Sequence, residues 1–268
     1  MSSNEPSASA EFQKWNRFRD NRDTSLSADH GWLSLTSLQW LPARPAPLEL
    51  LPGLWSAEAD GAVLTAEPGD RLTLLGPGTP VAGTLTAALA DEESLLWVRS
   101  GSIVAELARR GGRYAVRTRD SQSPTLRAFD GVPAFAYRAD LVLPGRFEPY
   151  PVARPVPRNT ANPQVTATAA VTGEVTFDLN GRTHRLLTED GGDGALEVTF
   201  HDSTNGSSTA GWRKLTIPVP AADGSVLLDF NRAVNYPSAF TAFGTCPMPV
   251  RGNILDTSIE AGEKTPPA

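Results

Sequence analysis

Apolar residues recur at a three-residue spacing near the start of the chain. Phe12, Trp15 and Phe18 follow this spacing, with charged residues between them. Such a pattern is typical of an amphipathic helix, and we predict one over residues 9–22. A helix this short is only marginally stable by itself, so we expect its aromatic face to pack against a larger body.

From Leu48 onward the pattern changes to short apolar runs separated by Gly, Pro or Asp. Such runs predict short strands, over residues 62–65, 71–75, 81–86, 95–99 and 103–108. The chain has 23 Gly and 23 Pro in 268 residues, which also favours many short elements. We predict a mainly β fold: a sandwich or open barrel of short antiparallel strands, with the N-terminal helix and a long irregular C-terminal segment.

Two turn sequences predict hairpin registers. A two-residue turn at Gly111-Gly112 places Glu106 opposite Arg117, as a solvent-side charge pair, and Leu107 opposite Val116 on the other face.

A turn at Asn180-Gly181 similarly places Phe177 opposite His184, among apolar neighbours. We interpret His184 as a packed, hydrogen-bonded histidine rather than a functional one.

Two proline-rich stretches, residues 42–47 and 144–163, are interpreted as links or loops. The second stretch separates two strand-rich regions. We therefore predict an N-terminal helix (1–24), a first β-rich half (25–120) and a second β-rich half (121–268). The two halves can also be read as one continuous domain.

Charge and cysteine content narrow the class of protein. The net charge is −6, which disfavours binding to nucleic acid. No apolar run approaches the ~18 residues that span a membrane, and the first 12 residues lack the pattern of a signal peptide. Because Cys246 is the only cysteine, no intramolecular disulfide can form, and we expect a cytoplasmic protein.

Common catalytic and cofactor motifs are absent from the sequence. It has no G-x-S-x-G, Walker or H-E-x-x-H motif, and its three histidines, His30, His184 and His201, are far apart. We therefore predict no metal site and identify no cofactor. Cys246 has no activating neighbour in the sequence, so we interpret it as a buried inert thiol. The oligomeric state stays open.

Polar candidates concentrate in the second half. Asp202 follows a predicted strand, where it could belong to a site or cap an Asx turn. Asp229, Asn231 and Asn235 also follow a strand; they could hold irregular backbone together, or bind a polar ligand or a hard cation.

Two further carboxylates, Glu260 and Glu263, lie on either side of Gly262. They could do acid–base work or belong to a solvated tail. Arg213 could hold an anionic group. Asp120 is unusual because it falls on the apolar face of its predicted hairpin.

Several segments together resemble the signature of a bacterial family called domain of unknown function 1684. The longest matches lie near the C-terminus, at residues 229–237, 245–249, Asn253 and 259–264; further matches are at residues 200–206, 213–215, 29–41, 117–120 and 147–150. The resemblance implies a β-rich, soluble, mostly cytoplasmic protein and supplies no activity. Ser238 stands where the family usually has its first cysteine, so a two-cysteine redox or metal site is not available.

The sequence therefore leaves several hypotheses open. The first is binding of a small polar or anionic molecule in a pocket of the C-terminal half. A second is a hydrolase- or lyase-type enzyme with a carboxylate base and Arg213 on a small metabolite, and a third is a β-rich interaction scaffold. A divalent-cation site among Asp202, Asp229 and Glu260 is also considered. The predicted catalytic residues are Asp202, Asp229 and Glu260, and the predicted ligand-binding residues are Asp120, Arg213, Asn231, Asn235 and Glu263.

Overall fold

A computed structural model describes residues 8–58 and 60–267 of the protein. Its α-helices are α1 (Ala8–Leu26) and the single turn α2 (Pro124–Arg127); short 3-10 turns include Trp32–Ser34 and Phe230–Arg232. The strands are β1 (Leu35–Trp40), β2 (Ala46–Leu48), β3 (Leu51–Glu58), β4 (Gly61–Ala66), β5 (Thr73–Leu74), β6 (Gly83–Ala87), β7 (Ser94–Ser100), β8 (Ile103–Arg110), β9 (Arg113–Asp120), β10 (Val142–Asn159), β11 (Thr166–Leu179), β12 (Arg182–Gly192), β13 (Ala195–Phe200), β14 (Arg213–Ile217), β15 (Ser225–Asp229) and β16 (Val234–Asn235).

The predicted fold class is confirmed: the chain is mainly β, its sheets are antiparallel and open, and α1 precedes them. The chain forms two compact units. The seven-stranded unit contains the described residues of Met1–Thr24, Gly131–Phe240 and Cys246–Ala268. The two-sheet unit contains those of Ser25–Asp130 and Thr241–Thr245.

The two-sheet unit is a sandwich. One sheet has the strand order β1-β9-β8-β7-β5 and the other has the order β2-β3-β4-β6. Their facing side chains share one apolar core, in which Trp55 and Trp97 meet edge to face with ring centroids 5.8 Å apart. Alternating inward positions on short strands bury this core, as the period of two along a strand requires.

The register predicted for the β8–β9 hairpin is confirmed, but the predicted exposure of its charge pair is wrong. Glu106 pairs with Arg117, as expected, yet their exposed fractions are only 3% and 1%. Arg119, two residues further along β9, joins them, and the two guanidinium groups lie 3.0 and 2.6 Å from the carboxylate. Both guanidinium groups also lie over the ring of Trp32, which helps to cover this face of the sheet. The alternation of side chains along a strand predicts which residues share a face of the sheet, but it does not predict what covers that face.

The seven-stranded unit has the strand order β15-β10-β11-β12-β13-β14-β16. Its inner face packs Phe177, Phe200 and Phe230, with neighbouring ring centroids 5.6 and 5.7 Å apart. The layer opposite this face comes partly from Leu255 and Ile259, in the long irregular C-terminal segment that the sequence predicts. This segment therefore forms part of the core.

The β11–β12 hairpin also has its predicted register, with Phe177 opposite His184. The His184 ring is buried and stacks on Phe177, with centroids 5.6 Å apart. The hydrogen-bonding part of the prediction fails at one atom, because His184 Nε2 has no partner among the described residues.

The interpretation of residues 144–163 as loop is wrong for most of its length, since β10 runs from Val142 to Asn159. Prolines are compatible with this strand because it pairs with β15 only over Val142–Arg146, leaving its later part at an edge. The Asn159 carbonyl accepts a bond from Met248 N on the side away from β11. Alternate residues point the same way, so Pro155 and Pro157 direct their nitrogens to that edge, where no sheet partner needs a donor.

The first prediction concerns Glu106. Burial acts to raise the pKa of its carboxyl, but Arg117 and Arg119 outweigh burial and hold that pKa below its ordinary value. Glu106→Gln leaves two buried cations without their carboxylate, so we expect unfolding to be easier by about 3–5 kcal/mol in urea titrations at pH 7. The matched control is Asp256→Asn, which removes an exposed carboxylate paired with Arg182 and should change the free energy of unfolding far less.

The same substitution should change the dependence of stability on pH. A carboxyl with a lowered folded-state pKa stabilises the protein above its unfolded pKa of about 4.3 and loses that contribution as the pH falls through the folded value. The Glu106→Gln variant should therefore lose less stability than the parent protein below about pH 4.3. Equal losses in the two proteins would contradict the role given to this carboxylate.

The second prediction concerns the β10 edge. The double variant Pro155→Thr/Pro157→Thr restores two N–H donors at the edge, and we expect increased self-association in sedimentation velocity runs at rising concentration. The control is Pro155→Lys/Pro157→Lys, which restores the same donors but adds charges that oppose edge pairing. If the threonine variant sediments like the parent, the prolines do not protect the edge.

Candidate functional site

Asp202 and Arg213 form a fully buried ion pair inside the seven-stranded unit. Arg213 Nη2 lies 2.7 Å from Asp202 Oδ2, and both side chains have no exposed surface. The other carboxylate oxygen accepts bonds from Thr204 N and, at 3.2 Å, from Ile259 N. Every oxygen of Asp202 is thus used by the protein itself, as the Asx-turn interpretation expects.

The remaining donors of Arg213 form hydrogen bonds with the irregular C-terminal segment. It donates to the carbonyls of Ile259 and Ala261, with a longer bond to that of Glu263, while its Nε is buried without a partner among the described residues. Burial lowers the pKa of Arg213, opposed by Asp202 and Glu263. The guanidinium therefore satisfies alternate carbonyls of a segment that has no strand partner for them.

Glu263 links this segment to the start of the chain. Its two oxygens accept bonds from Arg22 Nε at 2.9 Å and from Asn235 N at 2.6 Å. Arg22 also donates to the Asn235 carbonyl, and the Asn235 side chain donates to Lys264 O. Gly262 has a φ of +76°, and a Cβ there would lie 2.4 Å from Ala233 O, so only glycine fits this turn.

Asp229 and Asn231 organise the neighbouring 3-10 turn. Asp229 Oδ1 accepts bonds from the backbone and side-chain nitrogens of Asn231, and Oδ2 accepts one from Arg232 Nε at 3.0 Å. The Asn231 side chain bonds both backbone groups of Arg138, and the backbone carbonyl of Asn231 accepts a bond from Trp15 Nε1. These amides therefore hold irregular backbone together.

Six predicted residues thus belong to two hydrogen-bond networks of the seven-stranded unit. Asp202, Arg213, Glu263 and Asn235 form one, and Asp229 and Asn231 belong to the other. The remaining two lie elsewhere. Glu260 is exposed beside a cavity of about 540 Å³ that also presents Asp140 and Asp178. Asp120 belongs to the two-sheet unit, where it accepts a bond from Gln122 N. In the described parts of the chain, no three His, Cys, Asp or Glu side chains lie so that they could hold a metal ion together.

A larger cavity, of about 670 Å³, is lined by residues of α1 and of β14, β15 and β16 in the seven-stranded unit. We call it the α1 cavity. It is lined by Glu11, Lys14, Phe18, Arg22, Thr216, Pro218, Leu227, Asp229, Arg232 and Val234. Of the predicted site residues, only Asp229 lines it. The aromatic and charged pattern of α1 is the sequence signal for Lys14, Phe18 and Arg22, and by itself it predicts packing against a larger body.

Around the α1 cavity, both carboxylate oxygens of Asp229 accept hydrogen bonds from the protein, whereas some side-chain nitrogens remain available as donors. Arg232 donates from Nε to Asp229, and its two terminal nitrogens have no acceptor among the described residues. Arg22 uses Nε and Nη2, and Lys14 makes one exposed pair with Glu11. An occupant that offers acceptors would therefore complement this lining.

The third prediction tests the buried pair. Asp202→Asn leaves the Arg213 charge without its carboxylate, and we expect a loss of about 3–5 kcal/mol in the free energy of unfolding by urea titration. The control is Glu260→Gln, because Glu260 is exposed and should change stability by less than about 0.5 kcal/mol. Similar effects of the two substitutions would contradict the structural role of Asp202.

Comparisons with known proteins show a family and supply no activity. A solved solution structure, that of an uncharacterized protein from gene locus rrnAC0354 of Haloarcula marismortui, is 26% identical and covers 53% of this chain and 81% of that one, with a TM-score of 0.45. No curated protein matches. Within the described residues, no helix has the length and apolar character needed to cross a membrane. The model of the family described as a protein of unknown function (DUF1684) matches residues 127–264, just over half of the chain, and the protein belongs to that family.

Proposed function

We propose that the protein binds a small anionic molecule in the α1 cavity. The observation that carries this proposal is the imbalance of hydrogen-bonding groups there. Arg232 keeps both terminal nitrogens for an occupant, while both oxygens of Asp229 are engaged by the protein. A ligand with acceptor oxygens fits that supply.

Charge supports the same choice of cavity. The α1 cavity presents three cations, Lys14, Arg22 and Arg232, against two carboxylates, Glu11 and Asp229. The 540 Å³ cavity presents three carboxylates and Arg138, which already pairs with Asp140 through two bonds. An anion is therefore favoured in the first cavity and disfavoured in the second.

Arg232 is held in place before any ligand arrives. Its Nε is fixed by Asp229 at 3.0 Å, and its guanidinium lies 5.2 Å from the centre of the Phe18 ring. A guanidinium that is already oriented loses little conformational entropy when it binds a carboxylate or similar group.

Binding fits the α1 cavity better than catalysis. A carboxylate base would need a free oxygen directed at the substrate. Asp229 is the only predicted catalytic residue that lines this cavity, and it would first have to release Asn231 or Arg232. We therefore place Asp229 in the proposed site as the residue that positions Arg232.

The wider setting follows from composition. The net charge of −6 supports a protein that does not bind nucleic acid, and a single cysteine, Cys246, which is buried, supports a cytoplasmic location.

The fourth prediction tests the proposed site. A thermal-shift screen against small anions identifies a ligand that raises the Tm of the parent protein. The Arg232→Gln variant should bind that ligand about tenfold to a hundredfold more weakly, because it loses charged hydrogen bonds. The control is Arg182→Gln, because Arg182 is an exposed arginine that also pairs with an aspartate, and its variant should keep the full shift. An equal shift in Arg232→Gln would place the anion elsewhere.

A further inference from the structure

We infer that the occupant of the α1 cavity is an amphipathic monocarboxylate: one carboxylate on an apolar body. The inference rests on the proposed function and specifies its ligand class. It is drawn from three features of the cavity: its apolar wall, its balance of charges, and the closeness of its charged and apolar groups.

The apolar wall comes from four elements of the sequence that meet only in the fold. Phe18 lies on α1, Leu227 on β15, Val234 on β16, and Pro218 directly after β14. Leu227 has 51% of its surface exposed, although it projects from a strand into the lining. A hydrophobic ligand that covers this wall removes apolar surface from water, which inorganic anions cannot do.

The number of charges favours a monoanion. The lining has three cations and two carboxylates, and a third carboxylate, Glu263, pairs with Arg22 from behind the lining. Each cation therefore already has one carboxylate partner, so the ligand should carry as little negative charge as an acceptor group allows. A dianion such as phosphate would therefore add negative charge beside Asp229 and Glu11 without a matching cation.

The charged and apolar groups of the cavity adjoin each other. The Arg232 guanidinium lies over the Phe18 ring, at 5.2 Å from its centre. A ligand whose carboxylate bonds the terminal nitrogens of Arg232 can therefore place its next atoms close to Phe18. This geometry selects a molecule whose charge lies directly beside its apolar body, as in an alkyl or aryl carboxylate.

The experiment is isothermal titration of the full-length protein with acetate, butanoate, hexanoate and octanoate, with phosphate and octanol as comparison ligands. Burial of each methylene should increase affinity about fourfold, so octanoate should bind on the order of a hundredfold more tightly than butanoate. Octanol should bind at least about tenfold more weakly than octanoate, because it lacks the charge.

Two variants separate the wall from the charge. Leu227→Asn should weaken octanoate by about tenfold and leave acetate unchanged, since it removes apolar lining only. Val152→Asn is the matched control, because Val152 is 77% exposed on β10 and does not line the cavity. Arg232→Gln should weaken all of the carboxylates.

The outcomes distinguish this inference from the proposed function. If small anions bind with dependence on Arg232 but chain length has no effect, or phosphate binds more tightly than octanoate, the ligand class is wrong and the anion site stands. If Leu227→Asn and Val152→Asn weaken the binding of octanoate equally, the proposed contact between the ligand and the apolar wall is wrong. If no anion binds, or Arg232→Gln changes nothing, both proposals fail.

Discussion

The seven-stranded unit depends on one buried cation, the guanidinium of Arg213. A buried charge is tolerated only where it is paired and hydrogen-bonded, and Asp202 together with the Ile259 and Ala261 carbonyls meets that demand. The same bonds also satisfy backbone carbonyls beyond Asn253, where no regular strand pairing is present to do so. One side chain thereby holds an irregular segment against the aromatic core of the sheet.

The position of α1 follows from the same polar network. Trp15 and Arg22 are tied to backbone carbonyls of Asn231 and Asn235, and Arg22 also reaches Glu263. These bonds fix the helix without requiring its whole apolar face to be packed. Phe12 is 44% exposed, and Phe18 faces a cavity instead of a filled core. A wall that is anchored by polar contacts can remain rigid while leaving room for a ligand.

Several features were predictable because they depend on neighbours in the sequence. Gly111-Gly112 and Asn180-Gly181 supply the positive φ values of tight turns, and both hairpins have the register that these turns imply. The aromatic spacing of α1 and the Gly and Pro punctuation likewise act locally. The prolines of β10 predict a loop, but proline is compatible with a strand edge, and only the sheet order decides which strands have an edge.

By itself, the sequence determined the fold class, the first helix, two hairpin registers and the region in which polar side chains concentrate, since propensity and turn chemistry act over a few residues. The tertiary structure decided which of those side chains have their hydrogen-bonding groups engaged within the protein. It buried Glu106 between Arg117 and Arg119, enclosed Asp202 with Arg213, and left Arg232 with unused donors beside Phe18. Burial and hydrogen-bond saturation arise between residues distant in sequence, so spacing alone could not separate structural acids and amides from groups available to a ligand.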